Sequence, residues 1–402
     1  MLSWDHEPSL AAMQRERAWV EVNLDHLQHN VHAICHHLSP GTQLMAIVKA
    51  DAYGHGAVTV AQTALAAGAR WLGVATIPEG IELRKAGITA PILVLGAANT
   101  VEQVRALAQW TLQPTLCTEK QALIFADAIA QLPTSKPLPV HLNIDTGMAR
   151  LGLSWPQAMP LAEWIQRSPQ LQLAGVYSHF ANADHPDQTS LRDQETQFKQ
   201  AIAHLNAQQI QPSFLHLANS AATLIDPSLH YDLVRVGLAL YGIYPAPHLR
   251  SHLSLKPVMQ VKARITQVKT LLPNTGISYG HTYTTDRETR MAVLGIGYAD
   301  GVPRLLSNRM TVLRQGQHLP QIGAITMDQM MIDVSQCPNV QEGDVVTLLG
   351  QDQDASISAD DWANTIGSIS WEILCGFKHR LPRLFMPAAS TESRSPVPHP
   401  SV

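Results

Sequence analysis

The sequence predicts an α/β protein in which an N-terminal (β/α)₈ TIM-like barrel is followed by a C-terminal mainly-β domain. From residue 43 to about residue 245, short runs rich in Val, Ile and Leu alternate with longer amphipathic stretches, the pattern of strand–helix units around a parallel sheet. After residue 246 the pattern changes to short alternating strands separated by turns, which is typical of an all-β domain. A chain of 402 residues, 45% of them hydrophobic, is long enough for both domains.

These patterns divide the chain into four segments. We place an N-terminal tail at residues 1–16, the barrel at 17–245 and the β domain at 246–385. Residues 386–402 are rich in Pro and Ser and are expected to form a disordered tail. No internal repeat of fixed period is present.

Composition and charge exclude several classes of partner. A formal net charge of -4 with 15% charged residues gives no electrostatic signal for nucleic acid or an anionic membrane, so we expect a small-molecule partner. No run of eighteen apolar residues predicts a membrane span, and the first nineteen residues lack the pattern of a signal peptide. The four scattered cysteines indicate no disulfide framework, and we therefore expect a cytoplasmic protein.

Eight strands and six helices are predicted in the barrel segment. The strands are residues 43–49, 71–76, 91–96, 112–117, 139–144, 173–180, 214–219 and 233–237. The helices are residues 56–69, 78–87, 99–110, 119–132, 154–169 and 190–210, several of which begin with a capping Ser, Thr or Asn or with a Pro in the first turn. An open doubly wound sheet would give a similar order of elements.

Polar residues at the ends of these strands favour the barrel over the open sheet. Seven strand ends carry such a residue or a glycine: Lys49, Thr76, Gly96, Asp145, His179, Asn219 and Arg235. In a barrel of this kind the carboxyl ends of the strands converge on the face where active sites form. The sequence is therefore polar where a site is expected and apolar where packing is expected.

The second domain is predicted from five segments of strand pattern and one helix. The strand segments are residues 259–271, 290–299, 309–317, 321–334 and 344–350. Residues 359–375 are predicted to form a closing helix, because Ser358 and Asp361 have the spacing of a capping box.

Lys49 is the first candidate for a catalytic role. It ends a run of apolar residues and is followed by "ADAYGHG", whose glycines allow close backbone approach to a ligand. Because burial lowers the pKa of an ammonium group, a lysine at a barrel mouth can serve as an amine nucleophile and form a Schiff base. Taken alone, however, the residue is more often a lysine whose charge simply reaches solvent.

A phosphate site is expected at the last two strand–helix loops of such a barrel. Asn219 and Ser220 lie at one of these turns and Gly237 at the other. An ordinary N-cap with a packing glycine is the structural alternative. The GxGxxG and GxxxxGK[ST] motifs are absent, and the 19 histidines show no spacing typical of a metal site, so no metal is predicted.

Other candidate residues carry charge or a titratable group at exposed turns or strand ends. Arg235 lies inside an apolar run and needs a partner or ligand. Arg150 could bind a carboxylate in a bidentate manner, although a salt bridge is the more common role of a single arginine. His179, and likewise a half-buried strand tyrosine such as Tyr279, are by themselves more often structural than catalytic.

Together these segments resemble the alanine racemases, enzymes that interconvert L- and D-alanine with pyridoxal 5′-phosphate (PLP). The most specific segment is "AIVKADAYGHG" at residues 46–56. Further segments follow in the family's order: "GVATIPEGIELRKAG", "IDTGMAR", "HFANAD", "LANSAA", "VRVGLALYG", "SYGHTYT", "IGYADG" and "TMDQ". The resemblance extends from about Trp19 to Arg383, nearly the whole chain.

The resemblance implies a two-base mechanism. Lys49 would hold the cofactor as a Schiff base and then act as the base on one face of the substrate α-carbon. Tyr279, contributed by the second subunit of a head-to-tail homodimer with active sites at the interface, would act on the other face. Opposed groups suit racemisation, because a proton removed from one side must return from the other.

The resemblance also implies binding roles. Arg235 would pair with the pyridine nitrogen and His179 would lie against the ring, whereas Arg150 and the Met327 backbone would hold the substrate carboxylate and Tyr298 would narrow the entrance. The residues that the resemblance expects to hold the phosphate are Tyr53, Ser220, Gly237 and the backbone of Leu238. Asn219, at the same turn as Ser220, is a further cofactor-binding candidate.

Two positions depart from the family's pattern. Asn143 stands where many members have a lysine, often carbamylated, that orients the substrate arginine; Arg150 would then depend on a bound anion such as chloride or on other neighbours. Trp371 stands where a phosphate-binding tyrosine is common, and its indole can donate a hydrogen bond but cannot accept one.

The family resemblance predicts a cytoplasmic enzyme that supplies D-alanine for peptidoglycan. Decarboxylases with the same barrel place an acidic residue at the pyridine nitrogen, which Arg235 argues against. A racemase of another small amino acid such as serine remains an alternative, as does a non-catalytic PLP-binding barrel protein, although proteins of that kind lack the second domain with Tyr279.

Overall fold

The computed structural model describes residues 15–133 and 136–386. The predicted tails at residues 1–16 and 386–402 therefore lie outside the described residues, except at their inner ends. The backbone forms two compact units: one from Leu27 to Pro257, and one made of the described residues up to His26 together with those from Val258 onward.

These units differ from the predicted domains at both ends of the barrel. Residues 17–26, predicted in the barrel, lie in the second unit because strand β1 (Ala18–Asn23) pairs antiparallel with a strand that begins at Met259. The boundary predicted after residue 245 lies inside the barrel unit, because the Asn30 side chain forms two hydrogen bonds of 2.8 Å with the backbone of Lys256 and so holds this segment on the barrel.

The predicted barrel is confirmed. Its eight parallel strands are β2 (Gln43–Ile47), β3 (Trp71–Val74), β4 (Ile92–Ala97), β5 (Gln113–Leu116), β6 (Leu138–Asp145), β8 (Leu171–Tyr177), β9 (Phe214–His216) and β10 (Leu233–Val236), with a two-residue strand β7 (Leu153–Ser154) beside β6. They follow the order β10-β2-β3-β4-β5-β6-β8-β9. The Arg235 amide donates to the Ala218 carbonyl at 3.0 Å, and this bond helps to close the sheet between β9 and β10.

Helices follow the strands as predicted, with ends that differ from the predicted ones by no more than three residues. The helices of this part are Leu24–His37, Ala57–Ala66, Ile77–Lys85, Val101–Gln109, Glu119–Ala130, Trp155–Arg167, Thr189–Ala207 and Ser220–Ile225. Thr76 and Thr100 each form a capping box, which satisfies backbone donors at the helix start. Among the described residues, no helix is long and apolar enough to cross a membrane.

The second unit is mainly β, as predicted. Its further strands are β11 (Met259–Leu271), β12 (Gly276–Ile277), β13 (Tyr283–Thr284), β14 (Thr289–Leu294), β15 (Thr311–Arg314), β16 (Gln317–Pro320), β17 (Met330–Asp333), β18 (Val345–Asp352), β19 (Ala355–Ile357) and β20 (Arg383–Met386). The main path of the sheet is β16-β15-β18-β11-β1-β20, and β14 joins the long strand β11 to β17.

The closing helix differs from the prediction. Instead of one helix over residues 359–375, the chain forms Ala359–Ile366 and Ser370–Gly376. Gly367 ends the first of them in the left-handed conformation, with φ of 71°, which is the usual helix stop at glycine. The predicted capping box of Ser358 and Asp361 is present.

Candidate active site

Lys49 lies just beyond the carboxyl end of β2 and begins an unusual turn. Its side chain is half-buried. The next four residues, Ala50 to Tyr53, all have left-handed backbone conformation, with φ between 52° and 55°. Each non-glycine residue in this conformation costs roughly 1–2 kcal/mol, so other contacts must hold the turn.

The carboxylate of Glu79 provides one such contact. Its Oε1 accepts a hydrogen bond from the Ala50 amide at 2.7 Å, and its Oε2 accepts from the amides of Ala75 at 2.7 Å and Thr76 at 3.0 Å. The Glu79 side chain therefore connects the turn after Lys49 to the loop that follows β3. Such charge-assisted bonds are the stronger class of hydrogen bond.

The left-handed turn gives a direct stability prediction. Ala50→Gly is expected to raise the free energy of unfolding by about 0.5–1 kcal/mol. Glycine adopts the left-handed conformation without the steric cost that alanine has there, and this gain exceeds the ~0.4–1 kcal/mol by which the greater freedom of glycine stabilises the unfolded chain. Ala203→Gly is the matched control; it changes an exposed residue of the right-handed helix Thr189–Ala207 and should destabilise by about 0.5–1 kcal/mol. Urea unfolding at fixed protein and PLP concentration measures both, and destabilisation by Ala50→Gly would contradict the left-handed assignment.

Four predicted phosphate-binding residues lie together at the ends of β9 and β10. The Ser220 hydroxyl accepts a hydrogen bond from the Gly237 amide at 3.0 Å, and Asn219 caps the following helix by accepting from the Ala222 amide at 3.1 Å. Tyr53 lies over Gly237, and its hydroxyl oxygen is 2.5 Å from the place where a β-carbon on Gly237 would stand. Only glycine therefore allows the phenol to approach this backbone. Buried Leu238 follows as the first residue of a 3₁₀ turn.

Arg235 is buried and held by neutral acceptors. Its Nη1 donates to His216 Nδ1 at 3.0 Å, and its Nη2 lies within hydrogen-bond distance of the Ser178 carbonyl at 2.6 Å and of His179 Nδ1 at 3.1 Å. Burial lowers the pKa of Arg235 to about 10, which still leaves it charged at neutral pH. Among residues 15–133 and 136–386, no carboxylate forms an ion pair with it.

Tyr177 is part of this site although sequence reasoning did not identify it. Its ring centroid lies 5.0 Å from the guanidinium carbon of Arg235, and its hydroxyl is 2.9 Å from Thr115 Oγ1. Burial raises the pKa of Tyr177 to about 12, so it remains a neutral phenol. Its position two residues before His179 was the only available signal.

His179 lies where the charges of the site meet. Burial, followed by the positive charges of Arg235, Arg150 and Lys49, lowers the pKa of His179 to about 3. The imidazole is therefore neutral at physiological pH. All three cations are near enough to His179 to influence its protonation.

Arg150 and Asn143 occupy different surroundings. Arg150 is exposed, and within the described part of the chain it forms no ion pair. Asn143 is buried within β6, near Cys117, and burial raises the pKa of the Cys117 thiol. The Asn143 side chain therefore lies in the interior of the barrel, whereas Arg150 is open to solvent.

The second unit brings together three of its four candidate residues. Tyr298 and Met327 lie on adjoining loops, because the Tyr298 amide donates to the Thr326 carbonyl at 2.9 Å. Ser278, which precedes Tyr279, donates from its hydroxyl to the Ala324 carbonyl at 2.7 Å. The three side chains are exposed, Tyr279 to 74%. Trp371 is half-buried in the first turn of Ser370–Gly376, and no described hydrogen bond or ring contact joins it to this group.

The candidate residues do not have the arrangement of metal ligands. Within the ranges that the structure describes, no group of three His, Cys, Asp or Glu side chains could hold a metal ion. All four cysteines are described, and each is a free thiol.

Comparison with known proteins identifies the family. The model of the alanine racemase N-terminal domain matches residues 22–245, and that of the alanine racemase C-terminal domain matches residues 258–385. The chain belongs to the alanine racemase family. Enzymes of this family are PLP-dependent isomerases, and the sequence-based assignments of family, cofactor and enzyme class are confirmed.

Individual relatives agree with the family models. The chain is 60% identical over 369 residues to the alanine racemase of a Nostoc species, covering 92% of this chain and 96% of the relative. It is 58% identical to that of a Synechocystis species, covering 93% and 100%. The alanine racemase structure from Bacillus anthracis with bound L-Ala-P is 36% identical, with a TM-score of 0.86 and coverage of 92% of this chain and 95% of that one.

Proposed function

We propose that this alanine racemase family member interconverts L- and D-alanine through two opposed proton-transfer groups, Lys49 and the partner subunit's Tyr279. The observation that carries the proposal is the exposure of Tyr279. A phenol that is 74% exposed in a single chain is available to a second subunit. Lys49, half-buried at the barrel face with its ring-binding and phosphate-binding neighbours, supplies the opposing amine.

The residues of the barrel unit fit PLP. When bound, PLP supplies the electron-withdrawing system that makes the α-hydrogen of an amino acid acidic. The Ser220 hydroxyl and the Gly237 and Leu238 segment would hold its phosphate, together with Asn219 and Tyr53. The close approach of Tyr53 to Gly237 is consistent with this role, because a β-carbon on Gly237 would meet the Tyr53 hydroxyl and keep the two residues apart.

Arg235 supports racemisation over decarboxylation or transamination. An arginine can only donate hydrogen bonds, so facing the pyridine nitrogen it would leave that nitrogen unprotonated. The ring is then a weaker electron sink than with a carboxylate partner, which limits side reactions. The neutral acceptors around Arg235 are consistent with this role, because none of them would neutralise its charge.

Three residues are proposed to bind the substrate or to limit access to it. Arg150 is exposed, and its guanidinium can bind the substrate carboxylate in a bidentate manner. The Met327 backbone would share that carboxylate and Tyr298 would narrow the entrance. Since the neutral amide of Asn143 cannot supply the charge of a carbamylated lysine, Arg150 would be oriented by a bound anion such as chloride or by other neighbours.

A homodimer follows from the same proposal. Tyr279, Tyr298 and Met327 are exposed to 74%, 42% and 53%, which is unusual for three clustered apolar or aromatic side chains and typical of an interface. We further propose that the enzyme acts in the cytoplasm and supplies D-alanine for peptidoglycan, in keeping with its four free thiols.

Chiral chromatography tests the activity. Purified protein with PLP should convert L-alanine into D-alanine and D-alanine into L-alanine, approaching equal amounts from both sides. A panel of small amino acids that includes serine decides the substrate. A protein that binds PLP without racemising any of them would be a non-catalytic PLP-binding protein, and the proposal would be wrong.

Gly237→Ala should weaken cofactor binding. The added methyl group would displace the Tyr53 hydroxyl from its place beside residue 237. Overpacking typically costs about 1–3 kcal/mol, which corresponds to a rise in the PLP dissociation constant of roughly tenfold to a hundredfold. Fluorescence titration of PLP measures this change. Because Tyr53→Phe removes the displaced atom, the double variant should bind PLP almost as well as Tyr53→Phe alone. Additive losses would show that the two residues do not meet.

A further inference from the structure

A chain of buried polar groups leads away from Arg235 through the barrel interior. Arg235 Nη1 is 3.0 Å from His216 Nδ1, and His216 Nε2 is 3.0 Å from His141 Nδ1. His141 Nε2 is in turn 2.9 Å from the side-chain oxygen of Gln113, at the start of β5. Both histidines are fully buried.

The direction of every hydrogen bond in this chain follows from Arg235. A guanidinium only donates, so His216 Nδ1 must be the acceptor and the His216 proton must reside on Nε2. That N–H donates to His141 Nδ1, which places the His141 proton on Nε2 as well. The last N–H then needs an acceptor, and this is the amide oxygen of Gln113.

This order requires both histidines to be neutral. A second proton on His216 would sit on Nδ1 and oppose the N–H of Arg235. A second proton on His141 would sit on its Nδ1 and oppose the Nε2–H of His216. The surroundings agree with the requirement, because burial and the charge of Arg235 lower the pKa of His141 to about 3 and that of His216 well below its usual range.

The packing around the two rings makes room for this arrangement. A β-carbon on Gly175 would stand 2.3 Å from His141 Nδ1, so β8 carries a glycine where the imidazole crosses it. Trp71 packs against His141 in a T-shaped arrangement, with ring centroids 5.6 Å apart. Tyr177 stacks on His216 at 4.7 Å with an interplanar angle of 12°. Both imidazoles are thus fixed in position by neighbours on other strands.

We propose that His141 and Gln113 are positioning residues that fix the orientation of Arg235 from the interior of the barrel. His216 presents its Nδ1 lone pair to the guanidinium, and His141 presents its Nδ1 lone pair to His216. Arg235 is therefore held without a carboxylate that would neutralise its charge. Gln113 sets the direction of the whole series, because a donor at its position would turn both rings around and direct an N–H at Arg235. The proposal rests on the proposed function in that Arg235 faces the cofactor ring.

Three substitutions separate this role from simple packing. Gln113→Met keeps the approximate shape but removes the acceptor, whereas Gln113→Glu retains an acceptor. Gly175→Ala displaces the His141 ring without deleting any polar group. Gln172→Met, at an exposed position of β8, is the matched control.

Two measurements on the PLP-loaded, full-length protein test the proposal. Nitrogen-15 spectra of histidine-labelled protein should show two buried rings with the proton on Nε2 that do not titrate from about pH 5 to about pH 8. In Gln113→Met and Gly175→Ala these signals should change, the absorption band of bound PLP should shift, and kcat for alanine should fall by roughly tenfold to a hundredfold at similar KM. Gln113→Glu and Gln172→Met should stay close to wild type.

Each outcome separates the positioning role from the proposed function. Rings protonated on Nδ1, or a Gln113→Met enzyme with unchanged absorption band and kcat, would overturn the positioning role even if the wild type racemises alanine. A wild type with the expected ring signals but no racemisation would leave the order of hydrogen bonds standing and overturn the proposed function. If Gly175→Ala does not fold, the two Gln113 variants carry the test.

Discussion

Tyr279→Phe is expected to leave PLP bound and to reduce alanine turnover by roughly 10²–10⁴-fold, the usual contribution of a general acid–base group. The loss should be selective, because Lys49 remains able to act on its own face of the α-carbon. One enantiomer should therefore still exchange its α-hydrogen with deuterium from the solvent without inversion. Chiral chromatography and proton NMR in D₂O measure turnover and exchange separately. Tyr283→Phe, at a half-buried tyrosine on β13, is the matched control and should retain activity.

Mixed dimers test whether Tyr279 acts across the interface. Neither Lys49→Ala nor Tyr279→Phe should be active alone. A mixed dimer has one site that combines an intact Lys49 with the partner subunit's Tyr279, so random mixing should restore about a quarter of wild-type activity. If Tyr279 acted within its own chain, both sites of the mixed dimer would lack one group. Mixtures that stay inactive while forming mixed dimers would therefore refute the contribution in trans.

The barrel could be predicted because its sequence signal is local. Parallel strands covered on both sides need consecutive apolar residues, and the burial of all four residues in β3 and in β10 shows that requirement met. Helix starts were equally accessible, since Thr76, Thr100 and Ser358 cap in the expected spacing. In these cases short-range chemistry and tertiary structure favour the same conformation.

The features that were missed depend on residues far apart in the sequence. Nothing between Ala50 and Tyr53 indicates a left-handed turn, because these residues disfavour it and the carboxylate of Glu79 holds it from another loop. The pairing of β1 with β11 joins two strands of the second unit that are separated in the sequence by the whole barrel segment. His141 and Gln113 likewise appear as ordinary strand residues until the fold brings them together with His216.

Arg17→Gln is expected to lower the free energy of unfolding by about 2–3 kcal/mol, below the 3–5 kcal/mol typical of a broken buried pair because Arg17 is partly exposed. Asp300 is fully buried and accepts two hydrogen bonds from Arg17, at 2.7 and 2.8 Å, and one from the Gly297 amide at 3.0 Å. Arg380, whose Nε is 3.5 Å from Asp300, compensates only in part. Denaturant unfolding at fixed protein concentration and saturating PLP measures the change.

The matched control for this prediction is an arginine whose ion pair is exposed. The Arg167 side chain is 81% exposed and lies 3.8 Å from Glu163, so Arg167→Gln should cost at most about 0.5 kcal/mol. Adding Asp300→Asn to Arg17→Gln should recover part of the loss, because the buried charge that lacks its partner is then removed. A loss for Arg17→Gln as small as that for Arg167→Gln would mean that water or Arg380 solvates Asp300 fully. Asp300 lies two residues after Tyr298, so the ion pair between Arg17 and Asp300 should also fix the loop that carries Tyr298. If Arg17→Gln folds, its KM for alanine should therefore rise while its affinity for PLP stays unchanged.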